Sequence, residues 1–154
     1  MAGQPVRDAG GPRSEAAQDV ILVDTSVWID LINGRRGTKQ VLPDDLLWFV
    51  TCGPIVQEVL QGLRAGPWVD EFRAAFLAIP RLSDPLPAKV FVDAADIYRH
   101  GRLKGYTIRS STDCLIAAIA IENHVPIWHR DRDYTLIARY TSLELVNSKA
   151  GERP

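Results

Sequence analysis

Four aliphatic residues in a row, Val20 to Val23, run straight into an acid, Asp24, and helical spacing begins at the next residue. A short continuous run of β-branched and aliphatic residues suits a central parallel strand buried on both faces. In the following TSVWIDLI, Val27, Trp28, Leu31 and Ile32 recur at helical spacing, and Gly34 closes the segment. Strand and helix therefore meet at Asp24.

The same alternation continues along the chain. After a basic loop holding Arg35, Arg36 and Lys39, the pattern predicts a helix over Val41 to Phe49, weakened by Pro43. A second helix is predicted over GPIVQEVLQGL, with Pro54 in its first turn, Gly62 near its end and Ile55, Val56, Val59, Leu60 and Leu63 on one face. A third spans Pro67 to Ile79 and stops at Pro80; a short extended piece covers Arg81 to Asp84; a fourth helix runs from Ala88 to Lys104, ended by Gly105. SSTDCLIAAIAIENH reads as a helix apolar nearly all round, with Ser110 and Asp113 spaced as a capping box. A second strand-like piece, Pro126 to Trp128, a short helix from Tyr134 to Arg139 and a last strand, Leu143 to Val146, complete the order. Strands alternating with helices predict an α/β sandwich with a mainly parallel sheet and helices on both faces. Ligands in such sheets bind beyond the carboxyl ends of the strands.

At 154 residues the chain is long enough to hide roughly 68–70% of its unfolded surface, so no disulfide or structural metal is needed to hold a core. Cys52 and Cys114 match no zinc or C-x-x-C spacing and read as free thiols of a reducing, cytoplasmic setting. The longest strictly apolar run, Cys114 to Ile121, falls well short of the roughly 18 residues of a membrane span. The expected organisation is a flexible arm at residues 1–19, which lacks the apolar stretch of a signal peptide, one domain at 20–147 and a frayed tail at 148–154.

Acids gather where elements join. Asp24 ends the first strand, Asp131 follows the PIW strand, Asp113 opens the apolar helix and Glu58 falls at the border of its helix's apolar face. Each has a plain structural role available: a capping acid, a rim glutamate or a turn residue. Together they describe a cluster that repels itself, since two like charges about 4 Å apart cost roughly 4 kcal/mol at an effective dielectric near 20. A cation shared among them removes that cost. Hard oxygen ligands without a His/Cys set suit Mg²⁺ or Mn²⁺, and Mg²⁺ held by a few carboxylates most often works on phosphate oxygens.

These residues, in VDTSVWIDLI, PIVQEVLQGL, STDCLIAAIAIENHVPIWHRDRDY and LELV, resemble the PIN-domain ribonucleases, and within them the VapC-like toxins of toxin–antitoxin pairs. The resemblance covers about Val20 to Asn147. It implies a three-layer α/β/α sandwich and a Mg²⁺- or Mn²⁺-dependent endoribonuclease. Asp24, Glu58, Asp113 and Asp131 match the family's four acids. It also implies an RNA substrate (tRNA, rRNA or mRNA), inhibition by a cognate antitoxin and a homodimer. The fourth acid lies in a D-x-D, so Asp133 can share or replace the role of Asp131, and Tyr134 stands where the family often has Phe. Thr25 and Ser26 are candidates for bonding a metal-bound water or phosphate, with helix capping as the alternative.

Two basic stretches are candidates for holding RNA: Arg35, Arg36 and Lys39, and Arg99, Arg102, Lys104 and Arg109. Apolar Trp28, Trp48, Phe49, Leu60 and Trp68 divide between core packing and an antitoxin groove. A non-catalytic PIN-like domain binding RNA or protein is the alternative, which the intact acids disfavour. A receiver module, a dehalogenase-type phosphatase and a dinucleotide enzyme fit worse, lacking adjacent acids, a D-x-D after the first strand and a G-x-G-x-x-G respectively. The net charge of −1 does not oppose RNA: with four of the 19 acids assigned to metal, 15 remain against 18 bases.

Overall fold

The computed structural model describes residues 20–34 and 43–146. The arm at 1–19, the tail from 148 and the basic residues Arg35, Arg36 and Lys39 lie outside them. Strand β1 (Ile21–Val23) is central, with β2 (Phe49–Val50) on one side and β3 (Ile127–Trp128) on the other, both parallel to it. The register sets Leu22 between Val50 and Ile127. Single parallel bridges, Thr51 to Arg81 and Ile127 to Leu145, continue the sheet at both edges.

Six α-helices accompany the sheet among the described residues: α1 (Thr25–Ile32), α2 (Gly53–Gln61), α3 (Val69–Leu77), α4 (Ala88–Leu103), α5 (Ser111–Asn123) and α6 (Arg132–Ile137). This is the parallel α/β architecture the alternating pattern predicts. α5 packs against α4, α2 and α6, so a helix apolar nearly all round finds protein on most sides: Cys114 and every residue from Ile116 to Ala120 are buried. Its start and stop are written locally. The Ser110 hydroxyl accepts the Asp113 N–H at 3.2 Å, and His124 closes the helix in the left-handed region at φ 53°.

Leu22, Val23, Val27, Ile55, Ile119, Ile127 and Ile137 form the fully buried centre. Truncating one of the isoleucines to alanine costs about 2–5 kcal/mol, as lost burial plus a cavity. Trp28 meets Phe49 and Phe76 edge-on, with ring centroids 5.9 and 5.1 Å away, and each such pair adds about 0.5–1.5 kcal/mol beyond area burial. Trp28 and Phe49 are thus core residues, whereas Trp48 and Trp68 are exposed and Leu60 is half-buried.

Three sequence expectations are corrected. The helix expected over Val41 to Phe49 is a 3₁₀ helix at Pro43–Trp48 followed by strand β2, because Phe49 and Val50 gain a pairing partner in β1 that local periodicity does not register. The last strand, Leu143 to Val146, reduces to the single bridge at Leu145. The last helix begins at Arg132, two residues early, because Asp131 caps it.

Candidate active site

Asp24 leaves the sheet with its N–H bonded to the Trp128 carbonyl at 2.9 Å, which fixes the end of β1 beside the end of β3. Its side chain then caps α1. One carboxylate oxygen accepts the Ser26 N–H at 3.0 Å and the Ser26 hydroxyl; the other accepts the Tyr134 hydroxyl at 2.8 Å. Asp24 is 4% exposed, so these donors stand in for the water it has lost. Burial and the charge of Asp24 push the Tyr134 phenol well above its ordinary range, keeping it a proton donor.

Glu58 reaches the same junction from α2, where its half-buried carboxylate accepts the Thr25 hydroxyl at 2.7 Å. Thr25 and Ser26 therefore both act on acids. The Ser26 oxygen also accepts the Arg130 N–H at 3.1 Å, and the Arg130 guanidinium pairs with Asp30 at 2.9 Å, binding the loop after β3 to α1.

Asp113, Asp131 and Asp133 converge at the neighbouring helix starts, with one carboxylate oxygen from each lying within 4.8 Å of the others. Asp131 caps α6 by accepting the Asp133 N–H at 3.0 Å. Asp133 is fully buried and accepts the Arg109 N–H at 2.8 Å. The Arg109 guanidinium folds over both acids, 2.9 Å from Asp131 and 3.4 Å from Asp133. Among the described residues Asp113 has no such counter-ion. Burial first, then the charges of Asp24, Asp131 and Asp133, push its carboxyl up to about 7.

Of the sequence candidates, Asp113, Asp131 and Asp133 are thus brought together, Asp24 lies close enough to act on Asp113 electrostatically, and Glu58 joins Asp24 through the first turn of α1. Both members of the D-x-D enter the cluster. Arg109, a member of the same basic stretch as Arg99, Arg102 and Lys104, has its side chain turned into the acids. Arg99 pairs with Asp96 at 3.7 Å, Arg102 lies over the Tyr98 ring with its central carbon 5.9 Å from the centroid, and Lys104 is exposed. The acid-contacting roles of Tyr134, Arg109 and Arg130 were not visible in the sequence; only the aromatic after the D-x-D gave a signal.

The donor set fits a hard divalent cation. Three carboxylates within 4.8 Å and a fourth in electrostatic contact suit Mg²⁺ or Mn²⁺. Cysteine does not compete for that role: burial pushes the Cys52 thiol up to about 12 and the Cys114 thiol up to about 11. Burial also lowers the His129 imidazole below its ordinary value. Two adjoining clefts of about 450 and 420 Å³ share Phe91, Thr112 and Leu115, and the second reaches Glu58.

The PIN domain family model matches residues 21–140. The chain is 35% identical over 139 residues to the VapC ribonuclease Mb1587 of Mycobacterium bovis and to ribonuclease VapC11 of Mycobacterium tuberculosis, covering 83% of this chain and 98% of each relative. Among solved structures it is similar to VapBC-5 of Mycobacterium tuberculosis, with a TM-score of 0.60 at 18% identity over 83% of this chain and 98% of that chain. FitAcB from Neisseria gonorrhoeae gives a TM-score of 0.59 at 17% identity over 85% and 99%. At these identities the structural likeness is one of fold.

Proposed function

The chain belongs to the PIN-domain family, among the VapC ribonucleases, and from that premise we propose that it is a Mg²⁺- or Mn²⁺-dependent endoribonuclease, the toxin of a toxin–antitoxin pair. The observation that carries the metal dependence is the convergence of Asp113, Asp131 and Asp133 beside Asp24.

Asp24 and Asp113 would hold the principal ion, with Glu58, Asp131 and the adjoining Asp133 completing the set directly or through water. When bound, the ion supplies a more acidic water and positive charge at the scissile phosphate. The chain's own residues do the rest. Ser26 and Tyr134 hold Asp24 from both sides, Thr25 orients Glu58, and the Arg109 main chain anchors Asp133. No histidine is required as the base.

RNA would be drawn to the acidic site by Arg99, Arg102 and Lys104 at the end of α4 and by Arg35, Arg36 and Lys39, with Arg109 as a further cation beside the acids. Phosphate contacts of this kind give affinity without sequence choice. The partners are an RNA substrate, a second copy of the chain and a cognate antitoxin, which would inhibit by placing a cationic side chain among the carboxylates. None of the described helices is long and apolar enough to cross a membrane, which suits the cytoplasmic location proposed here.

The test is to express wild type and Asp24→Asn in cells, map new RNA 5′ ends, and repeat the cleavage with purified protein with and without chelator. New ends are expected with wild type alone, and they should require divalent metal. Identical maps from the two proteins would remove the nuclease reading.

A further inference from the structure

We propose that Tyr134 is a positioning residue for Asp24, fixing its carboxylate in the orientation a divalent cation requires. The inference rests on the metal reading above and concerns the one hydroxyl that this chain carries where a phenylalanine would supply none.

A carboxylate offers about four lone-pair sites. Three donors already address Asp24: the Ser26 N–H and hydroxyl on one oxygen and the Tyr134 hydroxyl on the other. About one site is left, and its direction is set by the other three. The two sets of donors come from different elements, Ser26 from α1 and Tyr134 from α6, so the carboxylate plane is held at both ends. Tyr134 is fully buried, and its ring packs against His129 at 5.2 Å between centroids. Its hydroxyl therefore cannot swing away without leaving a buried donor unpaired.

Its place in the chain adds a second effect. Asp131 and Asp133 lie three residues and one residue before Tyr134 in the same capped turn. The bond between Tyr134 and Asp24 spans 110 residues of sequence and thus fixes the spacing between the first acid and the last two. Groups that hold metal ligands in orientation typically contribute 10–100-fold to metal affinity.

The experiment is titration of the metal-free full chain with Mn²⁺, followed calorimetrically, for wild type, Asp24→Asn and Tyr134→Phe, with a melting curve for each. The phenylalanine variant should bind Mn²⁺ about tenfold more weakly, and added Mn²⁺ should restore its cleavage rate. Binding within twofold of wild type, with Asp24→Asn still defective, overturns this proposal alone and leaves Tyr134 a packing residue. Equal binding by Asp24→Asn, or none by wild type, overturns the metal reading and the proposal with it. Should the phenylalanine variant not fold, Tyr134→Met, whose flexible side chain fills the space without a donor, is held to the same criterion.

Discussion

Two parts of one acidic site are held together by different physics. At the start of α1, the buried Asp24 is surrounded by neutral donors: an amide and two hydroxyls. Within electrostatic reach of it, Asp113, Asp131 and Asp133 crowd one another, with Arg109 laid over two of them. Dipoles orient the first acid without cancelling its charge. In the second group burial acts first on Asp113 and like charge second: its carboxyl is pushed up to about 7 by burial and then by Asp24, Asp131 and Asp133. The comparison teaches that the first region is prepared for a cation by geometry, the second by burial and crowded like charge.

Removing charge from the prepared ligand should have the largest effect. Asp24→Asn is expected to lower cleavage by more than about 100-fold, beyond what loss of an outer partner costs. A purified Asp24→Asn protein cutting at the wild-type rate, free of contaminating nuclease, would break the comparison at its first term.

Next comes the arginine. Arg109→Ala should lower the melting temperature of metal-free protein and enlarge the rise produced by Mn²⁺, since the cation then relieves repulsion that Arg109 had reduced. Equal Mn²⁺-induced shifts in the two proteins would show that Arg109 does not balance these acids.

The third prediction concerns pH. Asp113 is held in the folded protein at about 7, above its ordinary 3.8, so between these values the folded state binds more protons than the unfolded one. Stability of the metal-free protein contributed by this group is therefore full below about 4 and falls as pH rises to about 7. Asp113→Asn should flatten that slope, and wild-type Mn²⁺ affinity should climb through the same window as the proton leaves. A wild-type slope retained in the variant would place the titration elsewhere.

The smallest effect should come from outside both regions. Replacing Arg102 and Lys104 by glutamate should leave Mn²⁺ affinity alone, weaken RNA binding and reduce the salt slope by about 1.4 for a single strand. An unchanged slope would remove these residues from the RNA path.

Much of this site was legible because its acids are marked by local structure. Asp24 stands between a β-branched run and a helix start, and Asp113 stands three residues after a capping serine. Both positions follow from a few neighbouring residues. β2 was missed because Phe49 and Val50 continue an apolar pattern that also suits a helix, and only their pairing with β1 decides between the two. Arg109 looked like part of a basic stretch, since four cations there have no acid among them in sequence. Its acids arrive from more than 20 positions further on, where α6 folds back. The contact between Tyr134 and Asp24 is longer still, and no local rule reports it.

The double tie from Arg130 to Ser26 and Asp30, set beside the bond from Tyr134 to Asp24, makes two distant segments one mechanical unit. Residues 24–30 and 130–134 are joined through side chains, although about a hundred positions separate them. A chimera that takes only one of the two segments from a relative inherits half a lock.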